Sequence, residues 1–244
     1  MKVIVVNDYE ELSQKAAEFV ADVVKQNPSA VLGLATGSTP VGMYNILAEF
    51  CCNHKLSFAD TRSVNLDEYV GLDGNSNQSY VYFMAKNFFD NVDIDKRNTN
   101  LPNGKAQDLD GECNRYTKLV ESMPQDVQVL GLGSNGHIGF NEPHTDFSSH
   151  THVVNLAEST IKDNSRLFDD VSQVPRQAIT MGIADIMQAK KILMLASGAN
   201  KAKAVAAMVE GGITEDVPAS ALQRHPDCTV IVDKAAASLL KRQD

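Results

Sequence analysis

Val127-Gln128-Val129-Leu130-Gly131-Leu132-Gly133-Ser134-Asn135-Gly136-His137-Ile138-Gly139-Phe140-Asn141-Glu142-Pro143 decides how the rest of the chain is read. A strand-like run breaks into four glycines within nine positions. Glycine lets a backbone take positive φ angles and approach a ligand closely. His137 sits among these glycines, with Asn135 two residues before it and Glu142 five residues after it. An imidazole exchanges protons near neutral pH, and a carboxylate that orients an imidazole is a recurrent catalytic pairing. The stretch therefore reads as a ligand loop at the carboxyl end of a strand, with an acid–base group inside it. A lone histidine is more often structural than catalytic. The glycine setting separates His137 from His54, His144, His150, His152 and His225, which read as surface or structural residues.

Outward from this loop, strand-like apolar runs alternate with amphipathic, helix-like ones. Residues 3–6 read as the first strand. Asp8 then starts a helix, with Glu11 three residues on in a capping-box arrangement, and Asn27-Pro28 ends it. Further strands are expected at 30–34, 63–66, 127–132, 153–156, 191–196 and 229–232. Helices are expected from Pro40 onward, at 79–89, at 108–122 and at 201–210, the last stopped by Gly211-Gly212. Strands alternating with helices imply an α/β fold: a Rossmann-like, mostly parallel sheet with helices on both faces. With no repeat, low-complexity tract or long linker, residues 1–244 read as one domain. Ligands bind such sheets outside the carboxyl ends of the strands.

The bulk properties narrow the partners. The chain has 244 residues, an apolar fraction of 43% and a net charge of −9. That charge argues against nucleic acid or an anionic membrane as the main partner, since both reward basic patches. It does not exclude an anionic metabolite held by a few local cations and amides. Cys51, Cys52, Cys113 and Cys228 form no CxxC pair and read as reduced thiols, not zinc ligands. The apolar run near the N-terminus is too short for a signal peptide, and no run approaches the roughly 18 apolar residues of a membrane helix. The expected location is cytoplasmic.

Two more loops follow strands. In Gly33-Leu34-Ala35-Thr36-Gly37-Ser38-Thr39-Pro40, small and hydroxyl residues lead into a helix N-terminus. Free amides, the helix dipole and the hydroxyls of Thr36, Ser38 and Thr39 around Gly37 suit a phosphate. The pattern is neither a Walker A loop nor GxGxxG; the plainer alternative is a tight turn with a Thr cap. In Asn65-Leu66-Asp67-Glu68-Tyr69-Val70-Gly71, two adjacent acids end a strand. A strand sends neighbouring side chains to opposite faces, so Asp67 and Glu68 have different jobs, and one can be a general base. The alternative is a helix cap plus a solvated acid. Arg166 and Lys201 can each clamp an anion, or be plain surface charges. A phosphate loop, a carboxylate and an imidazole, without a metal or nucleotide signature, point to aldose–ketose isomerisation of a phosphorylated sugar.

Five motifs then carry a resemblance. LATGSTP (34–40), NLDEYVGL (65–72), GSNGHIGFNEP (133–143), NSR (164–166) and SGANK (197–201) occur in the order seen in glucosamine-6-phosphate deaminases, across nearly the whole chain. The resemblance implies conversion of glucosamine 6-phosphate and water to fructose 6-phosphate and ammonia, in amino-sugar catabolism, with no cofactor or metal. It implies that Asp67 takes the C2 proton and that His137 moves protons in ring opening, with Asn135 and Glu142 as orienting partners. Thr36, Gly37, Ser38, Thr39, Arg166 and Lys201 would hold the phosphate. Two departures stand out. Many members have an aspartate at the position of Asn135, which leaves Glu142 as the expected negative partner. The hexameric, effector-activated enzymes carry Arg-x-Lys near His152-Val153-Val154 and extend further at the C-terminus, so an unregulated monomer is expected here. Residues 157–175, polar and charged, are expected to form a lid carrying Arg166. The competing readings are a 6-phosphogluconolactonase, whose histidine loop continues differently, and a non-catalytic sugar-phosphate sensor of the same fold.

Overall fold

The computed structural model describes residues 1–158, 161 and 174–241. Seven strands form a parallel sheet: β1 (Lys2–Val6), β2 (Val31–Leu34), β3 (Arg62–Asn65), β5 (Thr99–Asn100), β6 (Val127–Gly131), β9 (Ile192–Ala196) and β10 (Cys228–Asp233). Their order is β1-β10-β9-β6-β2-β3-β5. The central strands β2, β9 and β10 are buried along their whole length, as expected where both faces are covered.

The first helix shows how sequence becomes packing. α1 (Tyr9–Gln26) starts at Asp8, whose carboxylate accepts the Glu11 amide at 2.9 Å. The Glu11 carboxylate reaches back to the Asn7 amide at 2.8 Å, so the capping box closes one residue outside its usual place. Leu12, Ala16, Ala17, Val20, Val23 and Val24 recur at helical spacing and are buried. With α2 (Val41–Cys52) they cover one face of the sheet, against Leu32, Leu34, Val129 and Leu193. On the other face, α4 (Leu109–Ser122) and α6 (Ala202–Glu210) pack against Leu130, Met194 and Val230. This is the expected α/β architecture.

A second sheet was not legible in the sequence. β4 (Asp67–Tyr69), β8 (Gln177–Thr180) and β7 (His152–Asn155) form an antiparallel sheet in the order β4-β8-β7. The expected strand at 63–66 therefore stops at Asn65, and a new one begins at Asp67. The strand expected at 153–156 exists, but in this smaller sheet. Residues 79–89 divide into α3 (Tyr80–Met84) and a π-helical turn, Ala85–Phe89. β5, β8 and α5 (Ile183–Ile186) were missed because two to four residues are too few to show a period.

Tyr116 of α4 is fully buried and holds the end of β3. Its hydroxyl lies 2.6 Å from the Asn65 carbonyl and 3.2 Å from that of Asn100. Tyr116→Phe leaves the Asn65 carbonyl without this donor and is expected to lower stability by about 1–2 kcal/mol, read by urea unfolding.

Candidate active site

From β2 the chain runs outward through β3 to β5, then returns through β6, β9 and β10 on the other side. The loops after β2 and β6 part at that reversal, which is where open α/β sheets bind ligands. A cavity of about 520 Å³ lies there, lined from the ends of β2, β3, β6 and β9.

The β2 loop is held from behind by two phenols. Tyr44 donates to the Ala35 carbonyl at 2.6 Å, and Tyr9 donates to the Ser38 carbonyl at 3.0 Å. Thr36, Gly37, Ser38 and Thr39 line the cavity. α2 begins at Pro40 with no side-chain cap, so the plainer reading of this loop, a Thr cap, does not hold. The Gly42 amide in the first turn is taken by the Tyr9 hydroxyl at 2.9 Å, so what this segment offers the cavity comes from Thr36–Thr39, ahead of the helix, a hydroxyl-rich loop of the kind that suits an anion.

Asp67 and Glu68 part company as strand alternation requires. The Glu68 carboxylate accepts the amides of Tyr69 at 2.8 Å and of Tyr80 and Val81 at 3.0 Å, which fixes the start of α3. Burial pushes Glu68 up, and these three donors oppose the rise. Asp67 faces the cavity but is only 6% exposed. Burial, and then the neighbouring Glu68 charge, push its carboxyl from the ordinary 3.8 to about 8. The alternative of a cap plus a solvated acid is therefore half correct: Glu68 caps, but Asp67 is not solvated.

The β6 loop brings Asn135, His137 and Glu142 together. The His137 Nδ1 lies 2.7 Å from Asn135 Oδ1, and the Asn135 Nδ2 donates to Glu142 Oε2 at 2.6 Å. An ionised carboxylate only accepts, so the amide turns its NH2 toward Glu142 and its oxygen toward the ring. Nδ1 then carries the proton, and Nε2 is left with a lone pair. Glu142 Oε2 is 3.4 Å from Nδ1, placed to stabilise the ring when it is protonated. Two glycines make this possible. A Cβ on Gly133 would sit 2.4 Å from the imidazole. Gly139 has φ +56 and passes close to Asp67, since a Cβ there would lie 3.6 Å from Asp67 Oδ2. His137 lines the cavity, whereas Asn135 and Glu142 stand behind it.

Lys201 reaches the same cavity from the loop after β9, with Ser197 and Asn200. Arg166 and most of the expected lid lie outside the described residues. Tyr80, which no motif of the sequence singles out, lines the cavity, hydrogen-bonds Thr36 and lies 3.3 Å from the Tyr69 hydroxyl. Burial raises its phenol well above the ordinary value, so it stays a neutral donor. Its ring stacks on Phe140 at 6.2 Å. The sequence signal was slight: an aromatic residue just after the Ser79 cap. The remaining histidines behave as expected, His225 being buried with Nε2 2.8 Å from the Ala189 carbonyl. Among the described residues no group of three or more His, Cys, Asp or Glu is placed to hold a metal. Nor is any described helix long and apolar enough to cross a membrane.

An imidazole, a buried carboxylate, a hydroxyl-rich loop and a lysine face one cavity, an arrangement suited to proton transfer on an anionic substrate. The chain belongs to the glucosamine-6-phosphate isomerase/6-phosphogluconolactonase family, whose model matches residues 7–231. It is 51% identical to a glucosamine-6-phosphate deaminase of Thermoanaerobacter pseudethanolicus, over 100% of this chain and 97% of that protein. It is 52% identical to one of Clostridium perfringens, over 99% and 100%. A solved structure described as a monomeric glucosamine-6-phosphate deaminase superposes with a TM-score of 0.96 at 51% identity, over 98% of this chain and 100% of that one. The 6-phosphogluconolactonase of Trypanosoma cruzi, at 19% identity and a TM-score of 0.80, shares the fold.

The Asp67 carboxyl links stability to pH. Well below pH 3.8 it is protonated whether the chain is folded or not. Between there and about 8 the unfolded chain releases the proton while the folded chain keeps it, so stability falls as pH rises through this window. Asp67→Asn removes that cost. It is expected to be more stable than the wild type at pH 8, with the difference shrinking toward pH 4 in urea unfolding.

Proposed function

We propose that this chain converts glucosamine 6-phosphate and water to fructose 6-phosphate and ammonia, as a monomer in the cytoplasm. The observation that carries the reading is the meeting of Asp67, His137 and the Thr36–Thr39 loop around one cavity. The names of relatives about half identical over their whole length support it. The lactonase neighbours are similar in fold alone.

The phosphate sits against the Thr36–Thr39 loop and Lys201, which places the sugar between Asp67 and His137. The Nε2 lone pair of His137 takes the C1 hydroxyl proton, and the protonated ring returns a proton to the ring oxygen as the sugar opens. Glu142 stabilises the intervening imidazolium, and Asn135 holds the ring. Asp67 then takes the C2 proton and delivers it to C1. The bonding electrons pass through an enolamine to leave an imine at C2. Water adds there and ammonia leaves. A base of this kind has to be ionised, and the amino group of the substrate, as an ammonium beside Asp67, draws the raised pKa back down. Glu68 holds α3 and Tyr80 in place without entering the chemistry.

The test is to mix the protein with glucosamine 6-phosphate, without added metal and with a chelator present, and follow ammonia and fructose 6-phosphate together. Equal release of both is expected. Asp67→Asn should lower the rate by about 1000-fold or more, and His137→Gln by about 100-fold. Hydrolysis of 6-phosphogluconolactone with no ammonia would overturn the reading.

A further inference from the structure

We infer that Asp233, at the carboxyl end of β10, is a positioning residue for the anion-binding side of the cavity. This rests on the proposed reaction only for the name of the anion, a sugar phosphate. Asp233 is 6% exposed and does not line the cavity, and no motif of the sequence singled it out. Its carboxylate takes donors from two separate pieces of chain. From the loop after β9 it accepts the Ser197 hydroxyl and the Gly198 amide, the latter at 3.0 Å. From the C-terminal turn it accepts the Ala236 amide at 2.7 Å.

The loop needs such an anchor. Gly198 turns the chain with φ +94, and the short 3-10 helix it begins, Ala199–Lys201, has no side-chain cap of its own. That turn sets where α6 starts and thereby aims Asn200 and Lys201 into the cavity. The cap comes instead from a strand 35 residues further along the chain. Two consequences follow for ligand binding. The Gly198 amide is bound to Asp233 and is not offered to an anion. The single proton of the Ser197 hydroxyl is also directed at Asp233, so the oxygen presents only lone pairs to the cavity. Ser197 then suits a sugar hydroxyl or an ammonium, and the phosphate falls to Lys201 and the β2 loop.

Asp233→Asn keeps the size but places an NH2 among donors. It is expected to raise both the KM for glucosamine 6-phosphate and the Kd for inorganic phosphate by about tenfold. The kcat should stay within about threefold, because Asp67 and His137 are untouched. Leu240→Ala, in the apolar core beyond the same turn, serves as the control and should lower Tm with KM unchanged. In the wild-type protein the Gly198 amide should exchange with solvent at least about 100-fold more slowly than a free amide, with or without phosphate. This measurement decides the matter even if Asp233→Asn does not fold. An unchanged KM and phosphate Kd in a folded Asp233→Asn would overturn the inference. So would a KM that rises equally in Leu240→Ala, or a freely exchanging Gly198 amide. Phosphate binding that weakens in Asp233→Asn, with a wild type that releases no ammonia, would uphold the inference and remove the proposed reaction.

Discussion

The chain leaves one sheet and enters another at Leu66, and most of the site depends on that break. The Leu66 amide bonds the Leu34 carbonyl at 3.2 Å, its last tie to the parallel sheet. Its carbonyl accepts the Met181 amide at 2.7 Å, its first tie to the strand β8 region. Asp67 is consequently the first residue of β4, opposite Thr180, at the junction of two sheets. Asp67 is almost wholly buried there, and a buried charge without a partner is costly. The raised carboxyl follows from the topology. So does the position of the histidine loop, because the Thr180 hydroxyl accepts the Phe140 amide at 3.1 Å and draws that loop over Asp67.

Around this junction the protein relies on phenols where charges would be expensive. Tyr44 ties the exit of β2 through the Ala35 carbonyl, and Tyr116 ties the exit of β3 through those of Asn65 and Asn100. Burial pushes the phenols of Tyr44, Tyr80 and Tyr116 upward, so each remains a neutral donor across the working range of pH. These phenols fix the exits of β2 and β3 without a charge, and Asp67 and His137 are left facing the cavity. Tyr80 adds a second connection, since its amide rests on Glu68, its hydroxyl on Thr36 and its ring on Phe140. One residue spans three loops that are far apart in the chain.

Apart from the two-residue β5, the parallel sheet was legible because its strands and helices are long enough to show their periods, and because turn residues mark their ends. The cap at Asp8 and the stop at Asn27-Pro28 are local chemistry that needs no partner. The three loops were legible for the same reason. The smaller sheet was not. β4 is three polar or aromatic residues whose partner strand begins at Gln177, and nothing local distinguishes it from a loop. The parting of Asp67 and Glu68 followed from strand alternation alone, but the burial that raises Asp67 came from the long-range pairing. Asn135 could be named from spacing, whereas the way round its amide lies required Glu142 in place beside it.

That orientation of Asn135 gives the imidazole a one-way connection. A carboxylate at this position could accept the Nδ1 proton and pass it on to solvent. A side-chain amide already donating to Glu142 accepts the hydrogen bond but has no site to take up the proton. The ring can therefore load and unload only through Nε2, the nitrogen that faces the cavity. A proton taken up at Nε2 has no exit at the rear. The amide makes the imidazole a cul-de-sac.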